Sequence, residues 1–183
     1  ASVKQFQSSK MDSTSLSGNY VISICEDKNH NIWIGTSIGL NLFEEASFSF
    51  VRNHGKVGLD NYVINGMMPD DMGRLWISTN NGILNYSPLE GDLLHFEHQD
   101  GLQSNEFNRG AYYKNSRGEM FFGGVAGFNV FRPEDINRNP DAPPVIIIDL
   151  KLFNKSIVPG EKNSPLSKHI SDTREIVLTH RQS

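Results

Sequence analysis

The sequence predicts an all-β protein: a partial β-propeller of about three four-stranded blades, followed by the first strands of a second β domain. Three observations carry this reading. Trp33 returns as Trp76, Asp27 as Asp70 and Gly39 as Gly82, each 43 positions on. A looser third copy follows, with Phe121 and Gly127 each 45 positions beyond Trp76 and Gly82. The repeated unit is made of short apolar runs separated by Asx and Gly residues, the residues that tight turns demand. A period of about 40–50 residues built from short strands marks a propeller blade.

The elements follow in order. Residues 1–7 match the last strand of a repeat, with Val3-Lys-Gln-Phe6 aligned to Ser47–Val51 and to Leu93–Phe96, and read as a leftover strand. Ser8–Gly18 is a polar Ser- and Thr-rich connector. Blade one, about residues 19–51, holds strands at Tyr20–Cys25, Ile32–Thr36, Leu40–Phe43 and Phe48–Val51. Runs such as Asn31-Ile-Trp-Ile-Gly35 are apolar at neighbouring positions, the pattern of a strand covered on both faces. Blade two, about 61–97, holds Tyr62–Met68, Leu75–Ser78, Ile83–Tyr86 and Leu93–Glu97, and Asn81-Gly82 is a strong turn signal. Blade three, about 105–136, holds Asn108–Lys114, Met120–Gly123 and Gly127–Phe131, without a fourth strand.

Pro140, Pro143 and Pro144 then stop any sheet ladder, since proline donates no backbone hydrogen bond. The domain boundary falls here, giving a propeller part at 1–138 and a linker with a truncated second domain at 139–183. Strand candidates beyond it are Val145–Phe153 and Glu175–Leu178, too few for a complete sandwich of ~7 strands. The chain reads as a piece of a longer protein.

Charge excludes one class of function. The net charge of −4, with no basic run, argues against nucleic acid or an anionic membrane surface, where clustered Lys and Arg drive binding. No stretch approaches the ~20 apolar residues of a membrane-spanning helix. The single cysteine, Cys25, lies in a predicted strand and reads as a small buried apolar residue.

The form Tyr-Val-Ile-x-x-Ile…Asp…Ile/Leu-Trp-Ile-Gly-Thr-x-x-Gly-Leu…Phe resembles the two-component regulator propeller repeat. Gly101–Ala111 with Phe122-Gly-Gly-Val-Ala-Gly127 and Phe131-Arg-Pro133 is similar to that family's terminal repeat, and Pro143–Phe153 to the opening of a Y_Y_Y domain, an immunoglobulin-like β-sandwich. The resemblance implies a non-catalytic sensor segment in the periplasm, extracytoplasmic part of an inner-membrane (hybrid) two-component histidine kinase of Bacteroidetes type, with an oligosaccharide as ligand.

No residue pattern points to catalysis, to a cofactor or to a metal. Trp33, Trp76 and Phe121 recur in every blade, which favours packing between blades over sugar stacking. Asp27-x-Asn29-x-Asn31 opens like a calcium loop, but Ile32 and Ile38 stand where Gly and Glu are required, so it reads as an Asx turn. His95 and His98 point to opposite faces if both lie on a strand, and His30, His54, His169 and His180 lie in unrelated segments. The scattered carboxylates form no pair that spacing identifies, and no phosphate-binding glycine loop or nucleophile elbow is present. Two loops differ most from their counterparts and are the binding candidates: Arg52–Asp60 and Asp100–Arg109, with Asn105 and Arg109 as hydrogen-bond donors for a sugar. No ligand-binding residue is assigned. A propeller hydrolase or lyase, or an interaction scaffold without a small ligand, are the alternative functions. The open faces of three blades predict a homo-oligomer.

Overall fold

Each repeat folds as one antiparallel sheet whose strands follow one another in space as in sequence. The structure, a computed structural model, describes residues 3–52, 58–136, 148–161, 164–173 and 175–178. The chain divides into two compact units, residues 1–137 and 138–183.

In the first unit, blade one is β1 (Val21–Glu26), β2 (Ile32–Thr36), β3 (Gly39–Glu44) and β4 (Ser49–Arg52). Blade two is β5 (Ile64–Pro69), β6 (Leu75–Thr79), β7 (Ile83–Ser87) and β8 (Asp92–Phe96). Among the described residues blade three has three strands, β9 (Phe107–Lys114), β10 (Met120–Gly124) and β11 (Gly127–Phe131), followed by a 3-10 turn at Pro133–Asp135. The innermost strands β1, β5 and β9 pack side by side, as the first strands of successive blades do around a propeller axis.

The leftover strand expected at 1–7 is not formed: residues 3–7 make no ladder. No strand of the three blades pairs with residues 3–7, so their backbone groups have no ladder to join. Phe6 nevertheless sits edge-on to Phe43 and Phe50, at centroid distances of 5.5 and 5.4 Å.

Two apolar clusters hold the blades together. Trp33, Leu40 and Leu42 of blade one meet Met67, Leu75, Ile77, Leu84 and Tyr86 of blade two. Met68, Trp76 and Ile83 of blade two meet Phe107, Met120 and Phe122 of blade three. Each tryptophan therefore packs forward onto the next blade, in agreement with the packing role read from its recurrence. Close approach requires glycine at one point: a Cβ on Gly66 would overlap the Tyr112 ring of blade three.

The tryptophans are held by something their recurrence does not reveal. Trp33 Nε1 donates to Asp27 Oδ2 at 2.8 Å, and Trp76 Nε1 donates to Asp70 Oδ2 at 3.0 Å. The other oxygen of each carboxylate caps the turn between the first two strands. Asp27 Oδ1 accepts from the backbone N–H of Asn29 and Asn31, and Asp70 Oδ1 from those of Met72 and Arg74. Both carboxylates are buried. Their charge is met by donors: neither makes an ion pair with another described residue. In blade three Phe121 has no N–H to offer, and Asn115 stands in place of the aspartate. Asn115 Oδ1 still caps the turn, while its amide donates to Glu119 Oε2 at 2.6 Å.

In the second unit, β12 (Lys151–Leu152) and β13 (Lys155–Ser156) form a short hairpin, and Ile170–Asp172 is a 3-10 turn. Glu175–Leu178, a strand candidate in the sequence, carries no strand. Val145–Ile147 and the proline-rich segment from Asn137 to Pro144 lie outside the described residues.

Burial pushes the Asp27 carboxyl up, but the hydrogen bonds from Trp33, Asn31 and Asn29 outweigh it and hold the group below its usual value. A depressed folded value means stability that is present above the ordinary 3.8 of aspartate and lost as pH falls through the folded value. Asp27→Ala is expected to cost about 3 kcal/mol in urea unfolding at pH 7, because several donors lose an ionised acceptor. The difference from the wild type shrinks in acid. Equal stability of the two proteins at pH 7 would contradict this role.

Candidate functional site

Strands in a blade alternate in direction, so the turns between second and third strands share one face of the unit with the connectors between blades. That face carries residues 8–18, the described residues of both binding loops proposed from sequence, and the turns at Thr36–Gly39, Thr79–Gly82 and Gly124–Gly127. Much of its polar chemistry is taken up in fixing the connectors.

Arg52 opens the first candidate loop, but its guanidinium is spent on the segment before blade one. Nε donates to Ser15 O at 2.6 Å, and Nη2 to Asp12 O and Leu16 O, each at 2.9 Å. Residues 53–57 of that loop, with His54, lie outside the described residues, as does His180. Asp60, at its far end, has its carboxyl pushed up by burial and pulled back by Arg52.

A second device fixes the connectors through the asparagine two places after the turn glycine. Asn41 Oδ1 accepts from Ser17 N and its Nδ2 donates to Ser17 Oγ, both at 2.8 Å. Asn129, at the same place in blade three, accepts from Gln103 N at 2.9 Å and donates to Gly101 O at 3.1 Å. The turns themselves are capped by Thr36 and Thr79, whose hydroxyls donate to Gly39 O and Gly82 O and accept from Ile38 N and Asn81 N. Blade three has Gly124 where that threonine stands. Gln103 reaches in from the connector instead: its Oε1 accepts from Ala126 N at 2.7 Å and its Nε2 donates to Glu106 O. A Cβ on Gly124 would overlap both the Gln103 side chain and the Glu106 carbonyl oxygen, so the glycine is required by the connector that passes over it.

Of the candidates named in the second loop, Asn105 is structural: its side chain accepts from His98 N and its carbonyl from Gly82 N, both at 2.6 Å. Arg109 is different. It is exposed near the start of β9, and its guanidinium lies 4.9 Å from the centroid of Tyr20, the residue just before β1. The two side chains come from blades three and one and form a cation–aromatic pair. The sequence named Arg109 but gave no sign that Tyr20 was its neighbour.

The described histidines do not converge. His95 lies on β8 and contacts Asn81 O at 2.7 Å, while His98 lies in a 3-10 turn, not on the strand, and contacts Leu102 O at 2.7 Å. Among the described residues no three His, Cys, Asp or Glu side chains are placed to share a metal ion. The Asp27 loop is the Asx turn its spacing indicated. Burial, followed by the nearby Asp27 charge, pushes the Cys25 thiol up to about 12, so it stays protonated. On the opposite face a polar cleft of ≈ 510 Å³ lies between the turns of blades two and three, bordered by a Lys114–Asp71 ion pair of 2.8 Å.

Residues 15–37 and 58–81 match the family described as two component regulator propeller. The chain is 31% identical over 183 residues to histidine kinase P4 of Formosa agariphila, covering 99% of this chain and 13% of that protein's length. It also superposes, with a TM-score of 0.59 and 27% identity, on an extracellular domain attributed to a hybrid two component system of B. thetaiotaomicron, over 78% of this chain and 21% of that one. An extracellular domain attributed to a one component system of the same organism shares the fold, with a TM-score of 0.54 and 22% identity over 66% of this chain and 18% of that one. The chain thus carries regulator propeller repeats and is similar to extracellular domains of Bacteroidetes two-component systems. No helix among the described residues is long and apolar enough to cross a membrane.

Gly124→Ala is expected to lower thermal stability by about 1–3 kcal/mol through overpacking against Gln103. Gln103→Ala in the same chain removes the side-chain part of the clash, though not the contact with Glu106 O, so the double variant loses less than the sum. Strict additivity in chemical denaturation would show that the two side chains are not coupled.

Proposed function

We propose that this chain is a non-catalytic segment of the extracytoplasmic sensor region of a two-component histidine kinase, and that the ligand sensed is an oligosaccharide. The observation that carries the reading is the 31% identity to a histidine kinase along essentially the whole chain, supported by the family match of the first two repeats. Phosphotransfer belongs to other parts of such a protein. Residues 139–183 are read as the linker and opening of an immunoglobulin-like domain of the Y_Y_Y type, and the location as periplasmic.

The Tyr20–Arg109 pair is the part of this segment we assign to the ligand. An exposed aromatic ring offers a flat apolar surface to a sugar face, and a guanidinium offers several donors to hydroxyl or carboxylate oxygens. A ligand seated on both side chains ties blade three to blade one. It shifts a conformational equilibrium only if it binds one arrangement of the blades more tightly than another.

Isothermal titration of the chain with a panel of neutral and uronate-bearing oligosaccharides tests this. At least one is expected to bind, and Arg109→Ala to weaken it about 10- to 100-fold, the worth of a charged hydrogen bond. Absence of binding across the panel, or binding indifferent to Arg109→Ala, would contradict the assignment.

A further inference from the structure

The third repeat keeps step with the second only as far as the first residue of its innermost strand. Phe107 stands 43 positions after Ile64, whereas Tyr112 stands 45 after Met67. The sheets agree: Ile64 pairs with Thr79 and Met67 with Ile77, as Phe107 pairs with Gly124 and Tyr112 with Phe122. Hydrogen bonds keep the shorter spacing up to the same point. Gly39 N donates to Tyr62 O and Gly82 N to Asn105 O, two carbonyls again 43 positions apart. Two extra residues therefore enter β9 between Phe107 and Tyr112. Where β5 has Asn65-Gly66, β9 has Asn108-Arg109-Gly110-Ala111. They are accommodated as an enlarged β-bulge, with Gly110 in the left-handed region at φ +72°. A bulge re-aims the side chains it carries, and this one carries Arg109, whose guanidinium reaches the Tyr20 ring.

Blade two grips the bulge at both ends through adjacent residues. Buried Asn65 donates from Nδ2 to Phe107 O at 2.9 Å, on the near side of the insertion. The Tyr112 ring, on its far side, lies where a Cβ on Gly66 would be. In blade one the place of Asn65 is taken by Ile22 and that of Gly66 by Ser23, and the innermost strand of the following blade, β5, has no insertion. The amide donor thus occurs where the next innermost strand is enlarged. Among the described residues Arg109 forms no hydrogen bond or ion pair, so the backbone beneath it and the Tyr20 ring set where it stands.

We propose that Asn65 is the positioning residue of the site assigned to the ligand. By fixing the Phe107 carbonyl it holds the base of the bulge, and the bulge presents Arg109 beside Tyr20. The role rests on the assignment of that pair to an oligosaccharide, while the placement of Arg109 is measurable without one.

Nuclear magnetic resonance of the isotopically labelled chain reads the placement, through the ring-current shift that Tyr20 gives the Arg109 side-chain protons. Tyr20→Leu supplies the reference without a ring. Asn65→Leu, close to asparagine in volume, is expected to stay folded by far-ultraviolet dichroism and to lose most of that shift. Asn65→Ala, which only removes atoms, covers the case in which leucine does not fit. A folded Asn65 variant that keeps the wild-type shift would overturn the proposal. Isothermal titration with the oligosaccharide that binds the wild type best then tests the coupling. Asn65→Leu is expected to weaken binding about 10-fold, and to weaken it no further in a chain that already carries Arg109→Ala. Equal weakening in both backgrounds would mean that Asn65 does not act through Arg109, and would also overturn it. If no oligosaccharide binds the wild type, the reading of the ligand falls, and the shift still decides whether Asn65 places Arg109.

Discussion

A buried carboxylate with no cation beside it organises each of the first two blades. Taking an aspartate out of water costs several kcal/mol unless donors replace the lost hydration. Here a tight turn and an indole supply them together, so the turn between the first two strands and the tryptophan between blades are fixed by one group. The indole cannot rotate without stripping a partner from the charge, and the turn cannot open without exposing the tryptophan's anchor. Secondary structure and blade packing are thereby made one cooperative unit. Blade three shows the converse: with Phe121 in place of tryptophan the position takes a neutral asparagine, and the buried charge disappears with its donor.

The connectors are treated with similar thrift on the face that carries the candidate site. Asn41 and Asn129 fasten the chain entering their blades, Arg52 gathers the segment before blade one, and Gln103 replaces a missing threonine. The pair we assign to the ligand is small, a tyrosine just before one innermost strand and an arginine on another, from different blades. Side chains placed on rigid elements lose little freedom on binding, and a ligand that spans two blades reads their relative position.

The blade strands were legible because they are buried on both faces and punctuated by Asx and Gly. The expected limits of β1 to β11 lie within one residue of the observed ones, except at the start of β5, which comes two residues later. Tyr62 and Val63 read as its first residues, but the 3-10 turn at Leu59–Asn61 precedes it and the ladder begins at Ile64. The aspartate–indole link was present as a constant six-residue spacing, 27 to 33 and 70 to 76, yet spacing alone does not show that an Asx turn aims its second oxygen at the next strand. Gln103 in place of threonine was not legible, since the substitute comes from a connector about 20 positions earlier. Arg52 and Asn105 looked available because a polar side chain in a loop carries no sign of what it bonds. Tyr20 was missed as a neighbour of Arg109 because the two are far apart in sequence and meet only when the first and third innermost strands are brought side by side.

The most direct measurement is hydrogen exchange at the indole N–H groups of Trp33 and Trp76, followed by nuclear magnetic resonance of the labelled chain. If each indole is locked to a buried carboxylate, both protons exchange only through global unfolding and slow in parallel with the most protected strand amides. If either indole exchanges quickly while those amides stay protected, the link opens independently of the blade, and the carboxylate is not what unites turn and packing.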